Sequence, residues 1–237
     1  MSQLPPLGVD KDNPILKKNK FSTGISDLDI VMEGGYSNPS NILLIGPTGM
    51  EKSAMAFSFA ASKLENEILI FITTDANAQT IKEKAASIGI KLPKDTIFID
   101  CYTNNTNALP EQENILYMGG ASALEDFSVT IKEILEKNIG KKFRVVFHTF
   151  STFLLYNNKD SMLKFLQVVG GRLKNANATT LILVEEGVHD KQLISTILRY
   201  VDEPISLVDK GAGAFSIDFQ NGLQLPVKLG LNGINVI

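Results

Sequence analysis

The run Gly46-Pro47-Thr48-Gly49-Met50-Glu51-Lys52-Ser53 fits the phosphate-loop pattern G-x-x-x-x-G-K-[ST] at every position but one, where Glu51 stands in place of glycine. In such a loop successive backbone N–H groups wrap phosphate oxygens and the following helix adds its positive end. The lysine reaches the β- and γ-oxygens, and the serine hydroxyl ligates magnesium. The candidate nucleotide-binding residues are therefore Gly46, Pro47, Thr48, Gly49, Met50, Glu51, Lys52, Ser53 and Ala54, with Ser53 the candidate magnesium ligand. Glycine beside the lysine lets the backbone approach phosphate closely. Glu51 brings bulk and negative charge instead. Two unit charges about 4 Å apart repel by roughly 4 kcal/mol at an effective dielectric of about 20, which would weaken binding about a thousandfold. The carboxylate escapes this only by swinging outward or by pairing with Lys52.

The elements that would position this loop follow from local pattern. Asn41-Ile42-Leu43-Leu44-Ile45 reads as a buried strand leading in, and residues 53–64 read as the helix leading out. The rest alternates as βαβ units do. Strands are predicted at 41–46, 67–74, 96–100, 143–149 and 178–185, and helices at 53–64, 78–88, 122–137, 159–175 and 189–200. Residues 102–120, polar and rich in asparagine, read as a long surface loop. After about residue 204, strand-like pieces at 205–208, 214–219, 224–228 and 234–237 are punctuated by glycine and asparagine, as in an antiparallel extension. Residues 1–20, with three prolines and four lysines, read as a flexible lead-in, and 21–237 as one domain. The expected fold class is α/β: a mostly parallel twisted sheet flanked by helices, with antiparallel C-terminal strands.

Composition narrows the function. With 237 residues and 44% apolar content the chain can bury a substantial core. A net charge of −3 offers no basic surface for nucleic acid or an anionic membrane. One cysteine, Cys101, excludes an internal disulfide and fits a reducing cytoplasm, and two histidines leave little material for a zinc cluster. Cys101 follows an apolar run and reads as a small core residue. No signal peptide is evident, and no apolar run approaches the eighteen residues of a membrane span. The expected location is cytoplasmic.

Phe21-Ser-Thr-Gly-Ile-Ser-Asp-Leu-Asp29, then Glu33-Gly-Gly-Tyr36, then the loop, resembles the opening of KaiC-like and RadA-like ATPases of the RecA superfamily. Phe71-Ile-Thr-Thr-Asp75 resembles their second strand, Phe98-Ile-Asp-Cys101 their third, and Arg144-Val-Val-Phe-His-Thr-Phe-Ser-Thr-Phe-Leu-Leu155 their Walker B strand. Residues 180–186 resemble the next strand, and 225–236 resemble the family's P-F-x-I-x-x-x-G-I-x-V ending. The likeness runs from about residue 20 to the end. It implies a RecA-like P-loop fold, ATP and Mg2+ as cofactors, and assembly into homo-oligomers or with an active relative.

Against that pattern the departures fall on the chemistry. His148 occupies the position where the family's Walker B aspartate holds the magnesium shell. An imidazole is a poor ligand for an ion that demands oxygen. The family's T-T-E-E strand end is here Thr73-Thr74-Asp75-Ala76, so Asp75 is the sole candidate catalytic carboxylate, one methylene short. The basic K-x-R element implied near the C-terminus is reduced to Lys210. Losing one charge-stabilising group commonly costs about a hundred- to a thousandfold in rate. The resulting expectation is a non-catalytic or weakly nucleotide-binding regulatory or scaffold subunit, with ATP and Mg2+ held weakly if at all. The alternatives are an active KaiC-type ATPase with Asp75 as base, and a RadA-paralogue-like DNA-repair accessory. Glu185-Glu186 reads as a solvated strand end, His189 as a residue at a helix start, and Lys17-Lys18-Asn-Lys20 as exposed tail. Phe57-Ser-Phe-Ala60, similar to a recombinase docking element, reads as core packing. No nucleophilic serine or cysteine motif announces a hydrolase triad.

Overall fold

The structure is a computed structural model that describes residues 20–103 and 113–237. Ten strands form one sheet, and the helices cover both its faces. The chain opens with a two-stranded antiparallel pair, β1 (Lys20–Phe21) and β2 (Tyr36–Ser37), around the short helix α1 (Ser26–Val31). Then come β3 (Ser40–Gly46), α2 (Met50–Ala61), β4 (Glu67–Thr73), α3 (Ala78–Ser87), β5 (Ile97–Asp100) and β6 (Ile115–Tyr117). The chain continues with α4 (Leu124–Lys137), β7 (Lys142–His148), α5 (Phe150–Tyr156), α6 (Lys159–Asn175), β8 (Ala178–Glu185) and α7 (Lys191–Ile197). A 3₁₀ turn at Leu198–Tyr200 leads to β9 (Glu203–Gly211), β10 (Ala214–Phe219), β11 (Gln224–Gly230) and β12 (Gly233–Val236).

The large sheet runs β12-β11-β10-β9-β3-β8-β7-β4-β5-β6. From β9 to β6 every pairing is parallel, and β9 to β12 are joined antiparallel. Parallel strands buried on both faces read as near-continuous apolar runs, which is how Ile42–Ile45, Leu69–Ile72 and Leu181–Val184 read. Alternation still sorts their side chains. Ile42, Leu44, Leu69, Phe71, Val146, Leu181 and Leu183 join the core shared with α1, α2, α3 and the antiparallel strands. Leu43, Ile70, Ile72, Val145, Phe147, Ile182 and Val184 join the core shared with α4, α5, α6 and α7.

The same alternation puts Arg144 and His148 on the α2 face with Val146. Arg144 is buried there between the rings of Phe21 and Phe59, 4.6 and 4.8 Å from their centroids. It donates from Nε to Glu67 Oε2 at 2.6 Å and from Nη1 to the carbonyls of Ser22 and Phe59 and the Ser62 hydroxyl. Burial pushes the guanidinium pKa down while Glu67 and Asp29 push it back. Every polar atom of this pair that the fold buries has work, which is the condition under which a buried ion pair is tolerated.

Several predicted elements move. The helix after the loop begins at Met50, not residue 53, and the helix expected at 189–200 is α7 plus the 3₁₀ turn. The loop expected at 102–120 contains β6 on the sheet edge, and its residues 104–112 lie outside those described. The lead-in expected for 1–20 lies outside them too, except Lys20, which pairs with Ser37 in β1. The α5 helix and the α1 unit were not anticipated. Among the described residues no helix is long and apolar enough to cross a membrane.

Candidate functional site

Sheet register brings the site together. Gly46, the last residue of β3, lies opposite Glu185, the last of β8, and Thr73, the last of β4, lies opposite His148, the last of β7. Four parallel strands therefore end in one row, where ligands gather in open α/β sheets. From this row Gly46 leads through Pro47-Thr48-Gly49 into α2, so the first turn of that helix stands over the strand ends. No side chain caps the start of α2, and the first amides of a helix have no acceptor within it. Gly46 also packs tightly on β9: a Cβ there would meet Leu207 Cβ at 2.9 Å.

Lys52 is buried, 2% exposed. Its Nζ donates to Glu185 Oε1 at 3.1 Å and to the carbonyls of Gly46 and Val184, both at 3.3 Å. These three acceptors match its three protons. Burial pushes the Lys52 pKa below the usual lysine range, and Glu185 restores part of it. The other oxygen of Glu185 accepts from Thr149 Oγ1 at 3.2 Å. Glu185 is thus no solvated strand end, contrary to the sequence expectation, whereas its neighbour Glu186 is exposed.

Glu51 neither swings away nor pairs with Lys52. Its Oε2 lies 2.6 Å from where a Cβ on Gly49 would be, so the carboxylate folds back against the loop. A phosphate cradled by the Gly49 backbone would meet that charge directly.

His148 is buried at the centre of the remaining cluster. The ring stacks on Phe57 of α2, with centroids 5.7 Å apart and planes 12° apart, and lies 5.8 Å from Phe71 of β4. Nε2 lies 2.9 Å from Ser53 Oγ, and Nδ1 lies 3.1 Å from Asp75 Oδ1. Ionised Asp75 can only accept, so the neutral ring carries its proton on Nδ1 and leaves Nε2 to accept from the Ser53 hydroxyl. Burial pushes the Asp75 pKa up, but the hydrogen bond from His148, joined by the ring's charge when it is protonated and by Lys84, outweighs it, and the carboxyl ends below the usual range. The peptide linking His148 to Thr149 is cis. Thr74 and Thr149 bond each other across the strand ends, N–H to hydroxyl at 3.0 Å and hydroxyl to carbonyl at 2.9 Å.

Ser53, Lys52, Asp75 and His148, all singled out in the sequence, therefore meet in one cluster. The residue that sequence reasoning misplaced is Glu185, and the alignment it missed is Ser53–His148–Asp75. Lys210 stays exposed near the end of β9, and His189 stands just before Asp190, which caps α7 by accepting from Leu193 N–H. Magnesium does not fit this arrangement. The ion needs oxygen ligands in a near-octahedral shell, but Ser53 is engaged by an imidazole and the strand-end carboxylates Asp75 and Glu185 are taken by His148 and Lys52. Among the described residues no group of three or more His, Cys, Asp or Glu is placed to hold a metal ion.

A phosphate-loop segment between a central parallel strand and its helix, flanked by a parallel sheet with an antiparallel extension, defines the RecA-like class of α/β proteins. Within that class, a family model described as "ATPase: KaiC" matches residues 21–211, and the chain belongs to that family. Its fold is similar to that of the KaiC-like protein PH0186 from the hyperthermophilic archaeon Pyrococcus horikoshii OT3, with a TM-score of 0.69 and 18% identity over 92% of this chain and 98% of the other. No curated protein matches the chain.

Proposed function

We propose that this KaiC-family chain is a pseudo-ATPase: a regulatory or scaffold subunit that binds nucleotide weakly and does not hydrolyse it at a useful rate. The observation that carries the reading is His148, bonded on one side by the hydroxyl that should ligate magnesium and on the other by Asp75, the candidate catalytic carboxylate. Lys52, held by Glu185, and Glu51, folded against the loop, weaken the phosphate grip further. Binding, where it occurs, runs through Gly46, Pro47, Thr48, Gly49, Met50, Lys52, Ser53 and Ala54. Partners are further copies of the chain or an active relative, joined within a single-domain architecture spanning 21–237.

The test is calorimetry of ATP with magnesium on the wild type and a Glu51→Gly variant, with phosphate release measured in parallel. Removing the carboxylate should tighten binding tenfold or more, up to about a thousandfold, while hydrolysis stays absent. Magnesium-dependent turnover by the wild type would instead favour an active ATPase with Asp75 as base.

A further inference from the structure

Ser53, His148 and Asp75 lie in line: hydroxyl to Nε2 at 2.9 Å and Nδ1 to carboxylate at 3.1 Å. A nucleophile within hydrogen-bond reach of a base, itself oriented by a third group, is recognised by geometry and not by sequence order or fold. Each part has the property its role needs. The imidazole is fixed by stacking on Phe57 and by its place at the end of β7, and it is shielded from water at 2% exposure. Asp75, 3.1 Å from Nδ1, fixes the tautomer that leaves Nε2 free to take a proton. Ser53 is half-buried, and the contact of its hydroxyl with the Gly49 carbonyl at 3.4 Å is open to solvent. One helical turn before it, the Met50, Glu51 and Lys52 amides lack helical acceptors, and such amides can stabilise a developing oxyanion.

We propose that Ser53, His148 and Asp75 form a metal-free acyl-transfer site acting on small uncharged carboxylic esters. Ser53 Oγ attacks the ester carbonyl as His148 Nε2 takes its proton. The carbonyl carbon–alkoxy bond then breaks, and the leaving alkoxide departs with that proton as an alcohol. Water next attacks the acyl-serine, gives its proton to Nε2, and the serine is released with the carboxylic acid, so ester and water are consumed and nothing else is needed. Asp75 is a positioning residue, acting through the ring. The preference for an uncharged substrate follows from charge. The Glu51 carboxylate lies over the loop and Lys52 is neutralised by Glu185, so an anion arriving at Ser53 finds no free cationic side chain in the loop. This inference does not rest on the nucleotide reading, because neither ATP nor magnesium enters it.

The probe is a fluorophosphonate, which bonds phosphorus to an activated serine oxygen with loss of fluoride. The full chain should take up one adduct, mapped by peptide mass spectrometry to Ser53, and Ser53→Ala should take up none. Asp75→Asn should keep its melting temperature, because Asp75 is partly exposed, yet slow labelling by at least about a hundredfold. That loss should fall on the maximal labelling rate and not on probe affinity, a split that a purely structural role would not produce. His148→Gln should likewise label slowly if it folds, and Asp75→Asn carries the test if it does not. No adduct on the wild type, an adduct that persists in Ser53→Ala, or an Asp75→Asn labelling rate equal to wild type would each overturn the proposal. None of these outcomes touches the calorimetric result for ATP.

Discussion

Lys52 and Glu185 are 133 residues apart in sequence and 3.1 Å apart in space, and their ion pair decides what the loop can offer phosphate. Taking one partner from a buried pair costs about 3–5 kcal/mol. Glu185 keeps 14% of its side chain exposed, so Glu185→Ala should lose roughly 3 kcal/mol, the lower end of that range. It should also release Lys52. Thermal melts with and without ATP should show a larger ligand-induced rise in the variant than in the wild type, and equal rises would mean that Lys52 is not the group being withheld. At this scale the sequence was legible for identity but not for pairing. Lys52 and Ser53 stood out by type and position in the loop, and Asp75 and His148 through the family resemblance of their strands. The partner of Lys52 did not, because only the sheet register, Gly46 opposite Glu185, brings it within reach. Similarly, a serine and an aspartate flanking one histidine carry no local spacing that announces them.

Among the elements, long periodic segments were legible and short ones were not. The strands predicted at 41–46, 67–74, 96–100, 143–149 and 178–185 all appear, within a residue or so at their ends. The α5 helix, Phe150–Tyr156, was missed because it follows a strand directly and its seven residues offer only Phe150, Phe153 and Leu154 as a helical repeat, and burial against α6 and β8 decides its conformation. β6 has three residues in an asparagine-rich stretch and exists because β5 offers it an edge. The α1 unit depends on a different device. Asp29 accepts from Ser22 Oγ, Thr23 N–H and Thr23 Oγ1, closing the chain on itself. Gly24 there has φ +79, and a Cβ on it would collide with the Ser58 carbonyl of α2. Gly24→Ala combines a disfavoured backbone conformation with that collision and should cost about 2 kcal/mol or more, read as a lowered denaturant midpoint. A midpoint unchanged within error would show that the α1 unit docks on α2 less closely than it does here.

Across the whole molecule, strand order is what local pattern could not supply. β3 lies between β8 and β9, its partners late in the chain, so the phosphate loop is completed only when the last third of the sequence has joined the sheet. The antiparallel extension does more than lengthen the sheet. β11 and β12 pack on α2, and Gly233 closes against Ile90 and Ser58, where a Cβ would meet both at 3.0 and 3.2 Å. Members of the KaiC family often oligomerise, and we expect this chain to do so. Sedimentation velocity at micromolar concentration should show species heavier than the 25.9 kDa monomer, and a lone monomer would remove the scaffold half of the proposed function.

Cys101, the only cysteine, is buried just after β5, and its burial, reinforced by the charge of Asp100, pushes the thiol up to about 12. A thiol so reluctant to ionise is silent toward maleimides and iodoacetamides in the native fold. The natural chain is therefore already a blank background for fluorophores: one cysteine engineered onto an exposed helix would be the sole handle a dye finds, and subunit exchange could be followed by energy transfer without first mutating anything away.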